Sequence, residues 1–345
     1  MHLSKRKARL NRILAVIFSA IIGLTFIAIV WAVQYRDKEP DETFYILVAI
    51  DLLVCYSTYS LLTKKFRDRE RLRKTPFPEK WKVILKKYVQ YYNNLSKEDK
   101  TLFETEVQIF LHETRLTGVQ TEVDDTTMVL AAASGIIPVF GFEDWEYENL
   151  GEILIYPNAF NKQFDLEGHS RHVTGMVGTG IMNGIMILSQ PALLAGFKNP
   201  MDRHNVGIHE FAHLLDASDG SYDGIPRLFL ENQYIQPWLE VMHQESERIE
   251  DGKSKMNPYA LTNRVEFFAV ATEYFFERPD AMKERKPELY DLMTKIFKQD
   301  KSNHLGNAFK SLFNYTGKKF NPNGRCPCKS GKKYKNCCLK NAREY

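Results

Sequence analysis

Residues 204–216 read HNVGIHEFAHLLD, and within them His209-Glu210-Phe211-Ala212-His213 is an H-E-x-x-H. On a helix, histidines four residues apart stand one turn apart on one face, so their imidazoles can hold a single Zn2+. A chain with this His and Glu content yields about 0.02 such matches by chance, so the motif decides how the rest is read. Its flanks are helical: Ile208, Phe211 and Leu215 form an apolar stripe for the core, and Asp216 falls on the histidine side. There Asp216 can orient a ligand imidazole or stand as a surface carboxylate near the helix end.

A catalytic zinc takes a third protein ligand and keeps one position open. The strongest second helix is 263–277, NRVEFFAVATEYFFE, on which Glu266, Val270, Glu273 and Glu277 share a face. The other faces are rich in Phe and Ala, so the helix is mostly buried, and a buried row of carboxylates wants a partner such as a metal. Glu266 reads equally well as a capping-box residue three positions after Asn263. Spacing alone leaves both Glu266 and Glu273 as candidate ligands.

The segments HNVGIHEFAHLLD…DGIP, GEILIYP (151–157) and YALTNRVEFFAVATEYFFE (259–277) together resemble the MtfA-type zinc-dependent peptidases, over roughly residues 80–310. The resemblance implies an α+β fold with an anthrax-lethal-factor-like catalytic domain of the gluzincin kind. It implies zinc ligands at His209, His213 and Glu266, with Glu210 as general base and Tyr259 stabilising the oxyanion. Glu273 then becomes a carboxylate behind the ligands. The resemblance further implies activity on short peptides, of an aminopeptidase-like kind, and, as in some members, contact with a transcriptional repressor.

Two apolar runs precede this region. Residues 13–33 carry no charge over 21 positions, and residues 43–62 form a second run of 20 with one charge, Asp51. Each is long enough to span a bilayer core as a helix. The first run exceeds the apolar region of a signal peptide and no small-x-small cleavage site follows it. Lys5, Arg6, Lys7, Arg9 and Arg12 stand before the first run, and Lys64, Lys65, Arg67, Arg69, Arg71, Arg73 and Lys74 follow the second. Basic flanks stay in the cytoplasm, so a multi-pass inner-membrane hairpin with both termini and the catalytic region cytoplasmic is expected. Asp51, in mid-span, reads as a helix–helix or oligomer contact, with Thr25 or Ser19 as partner, in preference to an ion path.

Near the other end, residues 321–341 read NPNGRCPCKSGKKYKNCCLKN. Cys326, Cys328, Cys337 and Cys338 give four thiolates in thirteen residues, a set suited to tetrahedral structural zinc in a segment too small to fold without it. The run resembles the SEC-C motif, which implies a lysine-bearing zinc knuckle that recruits a protein partner or the ribosome.

The 345 residues are 44% hydrophobic and 26% charged, and the overall net charge of +4 is unevenly spread. Residues 1–75 carry +7, residues 318–345 carry +8, and the body between carries −11. An acidic body with basic ends argues against a specific nucleic-acid partner. Three domains are expected: a membrane hairpin with its basic juxtamembrane segment (1–75), a zinc metallopeptidase domain (76–317) and a zinc knuckle (318–345). Within the body, a helix is expected from Trp81 through WKVILKKYVQYYNNL, and Ser96 should cap another that runs to about Thr114. A buried helix over 127–137 and a strand over 151–157 should follow. The glycine-rich stretch 168–190 lacks a phosphate-loop pattern; it reads as a flexible loop and an edge strand near 177–189 that flanks the cleft. The function this supports is a membrane-tethered cytosolic zinc peptidase with one catalytic and one structural Zn2+, acting on a peptide or protein. The alternative is a membrane-anchored adaptor that binds a partner without cutting it.

Overall fold

The computed structural model describes residues 2–36, 38–142, 145–147, 150–161, 173–178, 184–199, 202–300 and Lys333. The four cysteines of the C-terminal run, His169 and His172 lie outside the described residues. The chain divides into two compact units, residues 1–76 and 77–345.

The first unit is a helical hairpin of α1 (His2–Val30), continued by a π-helical turn over Trp31–Tyr35, and α2 (Glu42–Leu72). Asp41 caps α2 by accepting from Phe44 N at 3.0 Å, and Tyr35 Oη donates to the same carboxylate at 2.7 Å, which closes the turn. Both helices are long and apolar enough to cross a membrane: an 18-residue stretch within Leu10–Tyr35 has mean hydropathy 2.9, and one within Glu42–Leu72 has 1.8. Their outer faces expose Phe18, Leu24, Leu53 and Leu61. Inside the hairpin, Asp51 is buried against Gly23, and Cys55 Sγ lies 3.2 Å from Ser19 O. The helices extend beyond the expected spans at both ends because the basic flanks are helical too.

The second unit is mixed α and β, and mostly helical. It begins with α3 (Glu79–Tyr88), α4 (Gln90–Asn93) and α5 (Lys97–Glu113), followed by β1 (Arg115–Gly118), α6 (Asp125–Val139), β2 (Glu152–Tyr156), β3 (Gly175–Val177) and β4 (Ile185–Ser189). Then come α7 (Gln190–Lys198), α8 (Val206–Asp216), α9 (Asn232–Glu250), α10 (Arg264–Glu277), α11 (Pro279–Arg285) and α12 (Pro287–Phe297). Ser96 Oγ accepts from Asp99 N at 3.0 Å and starts α5 as its sequence indicates. The helix expected to continue from Trp81 breaks at Val89, which is fully buried with φ −99° and ψ 89°. Burial of that side chain outweighs the local helical pattern.

The strands form one sheet in the order β1-β2-β4-β3, with β1, β2 and β4 parallel and β3 antiparallel to β4. This corrects the reading of 177–189 as a single edge strand: β4 is interior, in register from Glu152↔Ile185 to Tyr156↔Ser189, and the edge is β3. Alternation cannot reveal β4, because Met186 to Ser189 are all buried, as in parallel sheets covered on both faces.

Helices α6, α8 and α10 make the centre of the core. Every residue of α6 from Val129 to Val139 is buried, and its small side chains let α8 approach closely. A Cβ on Gly135 would come 2.8 Å from Phe211 Cζ, and one on Gly207 would meet Ser134 Cβ at 2.7 Å. Phe211 fills the gap against Phe110 and Tyr147, with ring centres 5.8 and 5.0 Å away. Gly207→Ala is therefore expected to destabilise the fold by about 1–3 kcal/mol despite alanine's better helix propensity. Thermal unfolding of the full chain reads this as a lowered midpoint.

Candidate metal centre

Two asparagine caps set the site. Asn205 Oδ1 accepts from Ile208 N at 3.1 Å and starts α8; Asn263 Oδ1 accepts from Glu266 N at 2.9 Å and starts α10. Of the capping-box reading of Glu266, the Asn263 cap is present. The Glu266 backbone amide serves the cap while its carboxylate faces the histidines, with Oε2 at 3.0 Å from His209 Nε2 and 3.6 Å from His213 Nε2. One donor atom each from His209, His213 and Glu266 lies within 4.8 Å of the others.

Seven residues further along α10, on the same face, Glu273 is almost wholly buried. Its Oε1 lies 2.7 Å from His209 Nδ1, and its Oε2 accepts from Asn205 N at 2.6 Å. His204 Nδ1 approaches the same Oε2 at 3.5 Å. The carboxylate fixes the His209 ring and leaves Nε2 as the atom turned toward Glu266, the arrangement by which a carboxylate orients a metal-binding imidazole. Asp216 takes neither of the two places open to it from the sequence: it is fully buried and accepts from Gly224 N at 2.9 Å, which ties the end of α8 to the loop that follows. Burial pushes its carboxyl up to about 7.

Glu210 is buried between α8 and β3. A Cβ on Gly175 would meet Glu210 Oε1 at 2.5 Å, so only glycine leaves this carboxylate its place. Burial pushes the Glu210 carboxyl up, the His209 and His213 charges pull it down, and Glu266 and Glu273 push it up again. Glu266 goes the other way: burial opposes ionisation, but hydrogen bonds from His209 and His213 bring it down to about 2. At His209 burial favours the neutral ring, and the hydrogen bonds to Glu266 and Glu273 override it, raising the ring to about 10. The site thus stabilises positive charge at the point where three side-chain donors converge. Ligands on a tetrahedral zinc stand about 3.3 Å apart. The 3.0 and 3.6 Å separations straddle that value, and the N,N,O donor set fits the ion.

Two tyrosines stand at the mouth. Tyr259 lies on a short 3-10 turn, Pro258–Leu261, that Asn257 caps by accepting from Tyr259 N at 3.0 Å. Its ring centre is 6.0 Å from that of His209, and burial with the Glu266 and Glu210 charges raises its hydroxyl. Tyr222, which the sequence did not single out, sits 5.7 Å from the His213 ring, ring centre to ring centre. It stands in a Gly- and Asp-rich loop, and no periodicity marks it.

The family described as Glucose-regulated metallo-peptidase M90 matches residues 63–298, most of the chain and all of this site. The chain belongs to the M90 metallopeptidase family. The SEC-C motif matches residues 323–340. Among similar proteins, Uncharacterized protein slr2042 of Synechocystis is 30% identical over 240 residues, covering 66% of this chain and 86% of that protein. Mlc titration factor A of Pectobacterium atrosepticum is 28% identical over 224 residues, 60% of this chain and 81% of that protein. The same-named protein of Salmonella agona is 29% identical over 226 residues, 61% and 83% of the two chains.

Since His209 holds an extra proton below about pH 10, a metal has to displace it. Apparent zinc affinity should therefore rise about tenfold per pH unit between roughly pH 6 and 8. Glu273→Gln should weaken it about 10–100-fold at fixed pH. Competition with a chromophoric chelator measures both.

Proposed function

We propose that this chain is a membrane-tethered zinc peptidase whose catalytic zinc is held by His209, His213 and Glu266, with Glu210 as general base. The observation that carries the reading is the convergence of three ligand atoms beside a buried Glu210. Zinc held there polarises a scissile carbonyl and lowers the pKa of water. Glu210, whose carboxyl burial holds above the ordinary range, takes a proton from the attacking water and delivers it to the leaving amine. Tyr259 donates to the oxygen on which negative charge develops. His209 is kept in one tautomer by Glu273 throughout.

The edge strand β3 lies against Glu210 through Gly175, so an extended substrate peptide added beside β3 would bring its backbone to the site. Main-chain pairing of this kind accepts many sequences. In the same reading the domains are 1–75, 76–317 and 318–345, and the catalytic domain has the gluzincin arrangement. The hairpin crosses the inner membrane with both termini cytoplasmic. Cys326, Cys328, Cys337 and Cys338 hold a structural zinc that recruits a protein or ribosomal partner. The second reading, an adaptor that binds without cutting, draws on the name Mlc titration factor A borne by several relatives; by analogy the partner is a transcriptional repressor.

Glu210→Gln should retain zinc and lose about 10²–10⁴-fold in peptide hydrolysis, whereas an adaptor would behave as wild type in cells. Tyr259→Phe should lower kcat about 10²–10³-fold. Gly175→Ala, which crowds the end of the Glu210 side chain, should lower kcat with zinc content unchanged. A fluorogenic peptide library with parallel zinc analysis reads all three.

A further inference from the structure

Arg203 stands just before α8 with φ of 65°, a left-handed backbone that a long-chain residue rarely adopts. Its guanidinium lies 5.6 Å from the centre of the Tyr274 ring, and it also donates to Lys255 O. Around that ring is a cavity of about 240 Å³ lined by Arg203, Lys255, Tyr274, Arg278, Ala281 and Arg285. Four of the six lining residues are cationic and none is a carboxylate. Like charges gathered in one concavity raise the local concentration of counter-ions.

Three acidic groups lie nearby: Glu245, Glu277 and, next to Arg203, Asp202, which accepts from His204 N at 3.1 Å. Glu245 is engaged by Lys286 Nζ and by Arg248, 3.6 Å away. Burial pushes Glu277 up to about 8, so it is mostly neutral at pH 7. Among the described residues no ion pair joins Lys255 or Arg285 to a carboxylate. The charges of Arg203, Arg285 and Arg278 all act on the Tyr274 hydroxyl, which burial raises.

We propose that Arg203, Lys255, Arg278 and Arg285 form a binding site for the phosphate group of a small ligand, separate from the metal centre. The cations come from three segments: the approach to α8, the loop after α9, and the two ends of α11. Donors converging from several directions suit a tetrahedral oxyanion better than a planar carboxylate, and each guanidinium can engage two of its oxygens. The site adjoins the metal centre through neighbours in sequence. Arg203 precedes His204 and Tyr274 follows Glu273, so an occupant steadies the segment that Glu273 grips at Asn205 N.

The test is a calorimetric titration of the full chain, in uncharged detergent, with inorganic phosphate. One saturable site is expected, weakened at least about tenfold by Arg203→Gln and by Arg285→Gln, with a loss also in Lys255→Gln. Lys255 and Arg285 are exposed, so those two variants should fold as wild type, which circular dichroism checks. Competition by phosphatidylglycerol vesicles, and not by phosphatidylcholine vesicles, assigns the phosphate to a lipid headgroup; no competition by either assigns it to a soluble ligand. A signal that does not saturate, or an affinity equal in wild type and all three variants, as binding at the metal centre would give, overturns the proposal.

Discussion

The contact between Glu273 and His209 is the constraint on which the centre of the molecule depends. A carboxylate as buried as Glu273 is tolerable only when each oxygen is engaged. Here one oxygen meets His209 Nδ1 and the other the Asn205 amide, so a single side chain positions both the ring and the first turn of α8. The remaining faces of α10 are apolar: Phe267 and Phe268 pack on Trp238, with ring centres 6.0 and 5.9 Å away. The polar stripe of α10 thus has one neighbour it can accept, and the register of α10 against α8 follows. Gly135 and the alanines of α6, with Gly207 on α8, let α8 sink far enough for that meeting.

Two carboxylates close to the same histidines are shifted in opposite directions by their surroundings. Glu266 lies within 3.0 Å of one ring and 3.6 Å of the other, and stays ionised. Glu210, buried beside β3, has its charge disfavoured by burial and is the one suited to exchange a proton. Environment, with no difference in side-chain chemistry, separates the roles.

What the sequence made legible was local. The histidine spacing, the Asn263 cap, the shared face of Glu266 and Glu273, and the Ser96 start of α5 are all written within a few residues of one another. What it hid depended on distant partners. Val89 leaves its helix because the core takes its side chain, and β1 is four residues with no alternation, defined only by pairing with β2. Asp216 faces the same side as the histidines in projection but is claimed by the Gly224 amide, eight residues on. Tyr222 reaches the site only because that same turn carries it there.

The buried Asp51 of the hairpin bears on how the chain is assembled. A carboxylate in the middle of an apolar helix costs a few kcal/mol in hydrocarbon when the helix stands alone. In the hairpin the absent side chain of Gly23 leaves the room that Asp51 occupies, and little of the carboxylate remains exposed. As a pair, the two helices hide that carboxylate; α2 without α1 would present it bare in the middle of an apolar helix.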